Sequence, residues 1–167
     1  MSPVGLDSWE QAVLKKWKSM KCLDDYIQEA MGRINEFCFH GELSLPEVSL
    51  GRMRFAKNWE GGYFGGRYYP PNGDQIARIK IFPFLLLEEK DIVSVLGHEM
   101  VHHWEHLQPQ GPKRKPYPVR IDEIILHRFS DNRQKKRWLT THSPRFLAKS
   151  WEVSRSLWLP IKDMLFR

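Results

Sequence analysis

Cysteine is scarce in this 167-residue chain. Cys22 and Cys38 are the only two, too few for a disulfide framework or a four-thiolate zinc ribbon, and they read as structural thiols of a reducing compartment. Long apolar runs are missing as well. No stretch approaches the ~20 uninterrupted apolar residues that span a bilayer, which argues against a membrane segment. The N-terminal MSPVGLDSWEQ lacks the basic-then-apolar order of a secretory signal, so the expectation is an intracellular protein, cytoplasmic or nuclear. There is no internal repeat. With 41% hydrophobic and 28% charged residues the composition is globular rather than disordered or collagen-like, and the length suits a single domain over 1–167.

What the chain does have is an uneven charge. The net charge is +6. Residues 107–141 hold nine Lys or Arg against the three acids Asp122, Glu123 and Asp131, so the whole excess sits in this basic insert and the remainder is balanced. A concentrated positive segment attracts phosphate backbones by steering and counterion release, and it can also be a solvated loop.

Hydrophobic periodicity divides the chain coarsely. Trp9, Val13, Trp17 and Met20 recur at helical spacing, as do Ile27, Ala30, Met31, Ile34 and Phe37 after a capping Asp24 or Asp25. Val48 and Leu50 alternate with polar residues as in a half-buried strand, and Ile76–Phe82 reads as another. Residues 56–75, rich in glycine, proline and aromatics, form a turn-laden loop or hairpin. A long helix is expected from Asp91 to about Leu107, a helical piece around Asp122–Phe129, and a last helix from about Ser143 to Leu159, with the basic run NRQKKR between the latter two.

The long helix carries the chemistry. Within GHEMVHHWEH, residues 97–106, His98, Glu99 and His102 form an HExxH pattern. Residues four apart on a helix are separated by ~6 Å along the axis and ~40° around it, so two imidazoles can share one zinc ion. The glutamate after the first histidine faces the same region and suits a general base toward water at the metal. This composition yields such a match by chance about 2% of the time, so the motif alone is only suggestive. On a helical wheel His98, Val95, His102, His106 and Glu99 share one side, beside an apolar stripe of Ile92, Leu96, Met100, Trp104 and Leu107. His98 and His106 lie ~12 Å apart along the axis, too far to share an ion, so His98 with His102 is the preferred pair and His103 and His106 read as supporting or exposed histidines. A catalytic zinc takes a third protein ligand. His40, His127 and His142 are candidates, His142 being the one set just before a proline suited to a helix first turn.

Three segments together resemble the SprT-like family of zinc metallopeptidases, which includes the Spartan proteases that cut proteins crosslinked to DNA. They are FCFHGELSLPEVSL (Phe37–Leu50), LGHEMVHHWEHL (Leu96–Leu107) and HSPRF (His142–Phe146), in an order covering roughly residues 23–155. Ser143 stands where that family usually has glycine and Arg145 where it usually has an acid, and the cysteine-rich ribbon of many relatives is missing. The resemblance implies an α+β, zincin-like fold in which a small sheet packs on the HExxH helix between N-terminal helices and a C-terminal helix. It also implies one Zn2+ held by His98, His102 and His142, with Glu99 as general base. A peptide substrate would lie along an edge strand beside the metal helix, a role that Ile76–Phe82 could fill, and that segment reads equally well as plain core sheet.

The expectation is therefore a zinc endopeptidase acting on DNA-bound proteins, with a protein substrate, no membrane partner, and single-stranded or damaged DNA contacted through Lys113, Arg114, Lys115, Lys135, Lys136 and Arg137. The alternatives are a peptidase indifferent to DNA and a non-catalytic nucleic-acid-binding module with structural zinc. Tyr63, Tyr68, Tyr69 and Tyr117 each offer a hydroxyl for an oxyanion without the spacing choosing among them. The aromatic loop Trp59–Tyr69 could stack unpaired bases or simply pack a hairpin.

Overall fold

The computed structural model describes residues 23–50, 65–82, 89–108 and 117–166. The expected helix at Trp9–Met20 and the basic residues Lys113, Arg114 and Lys115 lie outside them. The elements in order are α1 (Leu23–Phe39), β1 (Glu47–Leu50), β2 (Gly66–Tyr69), β3 (Arg78–Ile81), α2 (Glu89–Leu107), α3 (Val119–Arg128), α4 (Asn132–Thr141), α5 (Pro144–Ser156) and α6 (Ile161–Leu165). The architecture is α+β, mostly helical around a small sheet. Among the described residues no helix is long and apolar enough to cross a membrane.

Helix α1 buries Ile27, Ala30, Met31, Ile34 and Cys38 at helical spacing. It stops at His40 and Gly41, both at positive φ, where the Gly41 N–H returns to the Asn35 carbonyl at 2.9 Å. The buried Asn35 side chain then clasps Leu43 from both sides, donating to its carbonyl and accepting from its N–H at 3.1 Å each. That clasp turns the chain back toward the sheet.

The sheet is mixed, in the order β1-β3-β2. β1 runs parallel to β3 with Glu47 opposite Arg78, and β2 runs antiparallel to it with Arg67 opposite Lys80. The β2–β3 connection closes with paired backbone bonds between Asn72 and Gln75 and places Gly73 at φ 57°, a conformation glycine adopts without a Cβ penalty. Of the two roles open to Ile76–Phe82, a substrate-bearing edge and a plain core strand, β3 takes the second: it is paired on both sides, and among the described residues β2 is the outer strand beside α2. Strand order follows from long-range pairing, which local alternation does not encode. One sheet face, with Val48, Tyr68, Ile79 and Ile81, joins the core. The other presents Arg67, Tyr69, Arg78 and Lys80 outward.

Helix α2 crosses the inner face and is buried along Ile92, Val95, Leu96, Met100 and Val101, each side chain contributing about 1.5–3 kcal/mol by leaving water. β2 approaches so closely that a Cβ at Gly66 would overlap Val95 Cγ1 and lie 3.3 Å from Glu99 Cγ. The run NRQKKR, assigned no element from its sequence, is part of helix α4, whose N-terminus is capped by the Asp131 side chain accepting from the Arg133 N–H at 2.7 Å. α5 begins with Ser143 as N-cap and Pro144 in the first turn, as its sequence predicts. α6 folds back under α2, with Met164 against Gly97.

Candidate metal centre

The structure brings His98, His102 and His142 together. Each offers one ring nitrogen, and these atoms all lie within 4.8 Å of one another. His98 Nε2 is 3.2 Å from His102 Nε2 and 3.4 Å from His142 Nε2. A tetrahedral ion with ~2.05 Å bonds to nitrogen spaces its ligands about 3.3 Å apart, so the donor set fits such an ion.

The tautomers strengthen that fit. His98 Nδ1–H donates to the Met164 carbonyl, and His142 Nδ1–H donates to the Trp138 carbonyl at 2.7 Å. A carbonyl only accepts, so each Nδ1 carries a proton, and in the neutral rings that bind a metal each Nε2 lone pair turns toward the other. Facing lone pairs repel, and a cation between them removes the repulsion. Burial holds His102 well below the ordinary histidine range, helped by His98 and His142 beside it. It pushes His142 down to about 4, with the Trp138 carbonyl acting in the opposite sense. Both therefore stay neutral, as ligands must, at ordinary pH.

Each ligand has a different origin in the fold. His98 and His102 share one face of α2. His142 ends α4 as its C-cap residue and directly precedes Ser143, the N-cap of α5, so it sits in the joint between two helices rather than on the C-terminal helix itself. Ser143 Oγ donates to the Glu105 carboxylate one turn beyond His102 and accepts from the Phe146 N–H, tying that joint to the metal helix.

Apolar rings fix the imidazoles. Phe146, fully buried, has its centroid 5.0, 4.4 and 4.8 Å from His98, His102 and His142. Trp138 lies flat on His142 at 4.0 Å and 4°. Tyr68 stacks near His102 at 6.4 Å, and its hydroxyl donates to His103 Nδ1 at 2.8 Å. His103 in turn donates from Nε2 to the Ser44 carbonyl at 2.7 Å, so this buried histidine joins β2, α2 and the segment before β1. Sequence reasoning passed over Trp138 and Phe146, although each lies four residues from His142, a spacing that could have flagged them.

Glu99 is 3% exposed and outside the histidine group, one residue from a ligand. Burial raises its carboxyl to about 8, opposed by the Arg67 guanidinium and by the Tyr68 backbone N–H that donates to it. His40, His106 and His127 are exposed and take no part, and the expected place of His106 on the metal-facing side of α2 is corrected accordingly. Lys135, Lys136 and Arg137 lie on α4, which also carries Trp138. Tyr117 donates to Asp122 at 3.2 Å, and Tyr69 faces away on the outer sheet surface, which leaves Tyr68 as the described tyrosine that touches a ligand histidine.

No protein-family model, curated protein or solved structure matches this chain.

Proposed function

We propose that the chain is a zinc-dependent endopeptidase with a zincin-like domain of the SprT-like kind, acting at DNA on proteins bound or crosslinked to it. The observation that carries this reading is the convergence of three imidazole Nε2 atoms beside one buried carboxylate that is not a fourth ligand. Structural zinc sites close with four protein ligands, whereas catalytic ones keep a position open, and among the described residues the group numbers three.

His98, His102 and His142 would hold Zn2+. The ion supplies Lewis acidity that lowers the pKa of a water toward neutrality and polarises a peptide carbonyl. Glu99, buried beside the histidines, would take a proton from a water there and return it to the departing amine. Phe146 and Trp138 exclude bulk water from the histidines, which strengthens every charge interaction there. Among the described residues β2 is the outer strand alongside the site, so an extended substrate would add to it rather than to β3. The nucleic-acid part of the reading rests on the charge excess of 107–141 and on the Lys135, Lys136 and Arg137 cluster of α4.

The test is elemental analysis and cleavage of an unfolded protein substrate, with and without single-stranded DNA, for the parent and Glu99→Gln. One equivalent of zinc in both, with cleavage lost only in Glu99→Gln, is the expected result. Undiminished cleavage by Glu99→Gln would refute the mechanism. Cleavage indifferent to DNA and to loss of the α4 charges would leave a peptidase without a nucleic-acid partner.

A further inference from the structure

The outer face of the sheet carries a cluster of cations around Tyr69, of which Arg67 also acts on the metal centre through its charge on Glu99. Side chains alternate across a strand, so Arg67 and Tyr69 of β2 share that face, and their partners in register, Lys80 and Arg78 of β3, share it too. The three cations surround one ring. Arg78, Arg67 and Lys80 lie 5.1, 5.5 and 5.8 Å from the Tyr69 centroid. The one acid in register with them is Glu47 on β1, opposite Arg78, and Ser49 stands opposite Lys80.

Arg67 and Lys80 are directly opposed cations, and Arg78 adds a third positive charge diagonal to Arg67. A polyanion laid across the face would meet all three. An acidic peptide would satisfy the cations but make no use of the ring. A polynucleotide offers both phosphates and flat bases, and its single-stranded form leaves those bases unpaired for stacking. The geometry points to the outer face of β2 and β3 as a binding site for single-stranded nucleic acid, with Tyr69 as the base platform and Arg67, Arg78 and Lys80 as phosphate partners. This site is separate from the α4 cluster and deepens the nucleic-acid part of the reading above. It places the strand on the opposite side of β2 from Glu99.

The experiment is fluorescence anisotropy of a labelled oligothymidine of about fifteen nucleotides with the zinc-loaded full chain across a salt series. The variants are Arg78→Gln/Lys80→Gln, Tyr69→Leu, Tyr69→Phe and the α4 triple Lys135→Gln/Lys136→Gln/Arg137→Gln. The double variant should flatten the slope of log affinity against log salt by about 1.4, the value for two lost single-strand phosphate contacts. Tyr69→Leu should weaken binding roughly tenfold or more, while Tyr69→Phe, which keeps the ring, should bind like the parent. Parent-like binding by both the double variant and Tyr69→Leu, with binding lost in the α4 triple, would overturn the inference and leave the DNA-associated reading standing. A parent that binds no oligonucleotide overturns both. Competition by polyglutamate as effective as by unlabelled oligothymidine would assign the face to acidic peptides instead.

Discussion

Gly66→Ala is the most demanding test of how the strand and the metal helix fit together. The new methyl would overlap Val95 Cγ1 and sit 3.3 Å from Glu99 Cγ. Val95 is fully buried on a helix, where a β-branched side chain has essentially one rotamer, so it cannot turn aside. β2 must withdraw by on the order of 1 Å to restore ordinary carbon–carbon contact. Overpacking of this kind costs about 1–3 kcal/mol, which for a chain of this size lowers the melting temperature by roughly 2–12 °C. The histidines are positioned by α2 and the α4–α5 joint, so zinc content should be unchanged. Glu99, however, loses its registry with the Tyr68 N–H, and a 1 Å misplacement can reduce catalysis on the order of 100-fold. The assay is calorimetry with zinc analysis on Gly66→Ala, Val95→Ala and the double variant. Removing the Val95 methyls makes room, so the alanine at 66 should cost at least 0.5 kcal/mol less in that background, at the lower end of coupling for residues in contact. Strict additivity, or a single variant that melts with the parent, would refute the close-packing argument.

Three further outcomes are expected. His142→Ala should lose most of its zinc and Trp138→Ala should retain it with weaker affinity, about 10- to 100-fold by competition with a chelator, because Trp138 positions a ligand it does not replace; equal zinc affinity in Trp138→Ala and parent would contradict the stacking role. Ser143→Ala removes the N-cap of α5 together with the tie to Glu105 and should lower stability by about 1–2 kcal/mol in denaturant titrations, with Ser143→Asn recovering part of it. In the metal-free protein His142, depressed to about 4, adds stability as pH rises from 4 to 6.5, because over that window the unfolded chain binds the extra proton. Glu99, raised to about 8, acts oppositely and removes stability as pH rises from 4.5 to 8. Metal-free chain should thus lose melting temperature between pH 6.5 and 8, and zinc, by favouring the carboxylate, should flatten that fall; identical profiles with and without zinc would exclude the coupling.

The sequence carried the elements with strong periodicity and missed those defined by their neighbours. The metal helix was legible to within two residues at its start, because its apolar stripe and the glycine- and proline-rich segments around it are local signals. α4 was not, since none of its residues is buried and its character rests on the Asp131 cap and on Trp138 packing against His142 and Phe129. The His98–His102 pair follows from helix geometry alone. The arrival of His142 depends on the joint between two helices, which spacing could only suggest through Pro144. The place of β2, outermost among the described strands, was hidden for a different reason: GRYY is a short strand in a segment dense with turn formers, and its pairing with β3 is a tertiary fact.

The His98 bond to the Met164 carbonyl also fixes an order of events. The contacts that complete the centre join residues 35, 44, 59 and 66 positions apart, so every one of them closes a long loop. Closing loops of that span costs more conformational entropy than forming a local helical turn. A growing chain that has emerged only as far as α2 presents two histidines and the glutamate, but no third ligand and no carbonyl to orient the first. The histidine group is therefore completed only when the α4–α5 joint arrives, and His98 is oriented only when α6 docks.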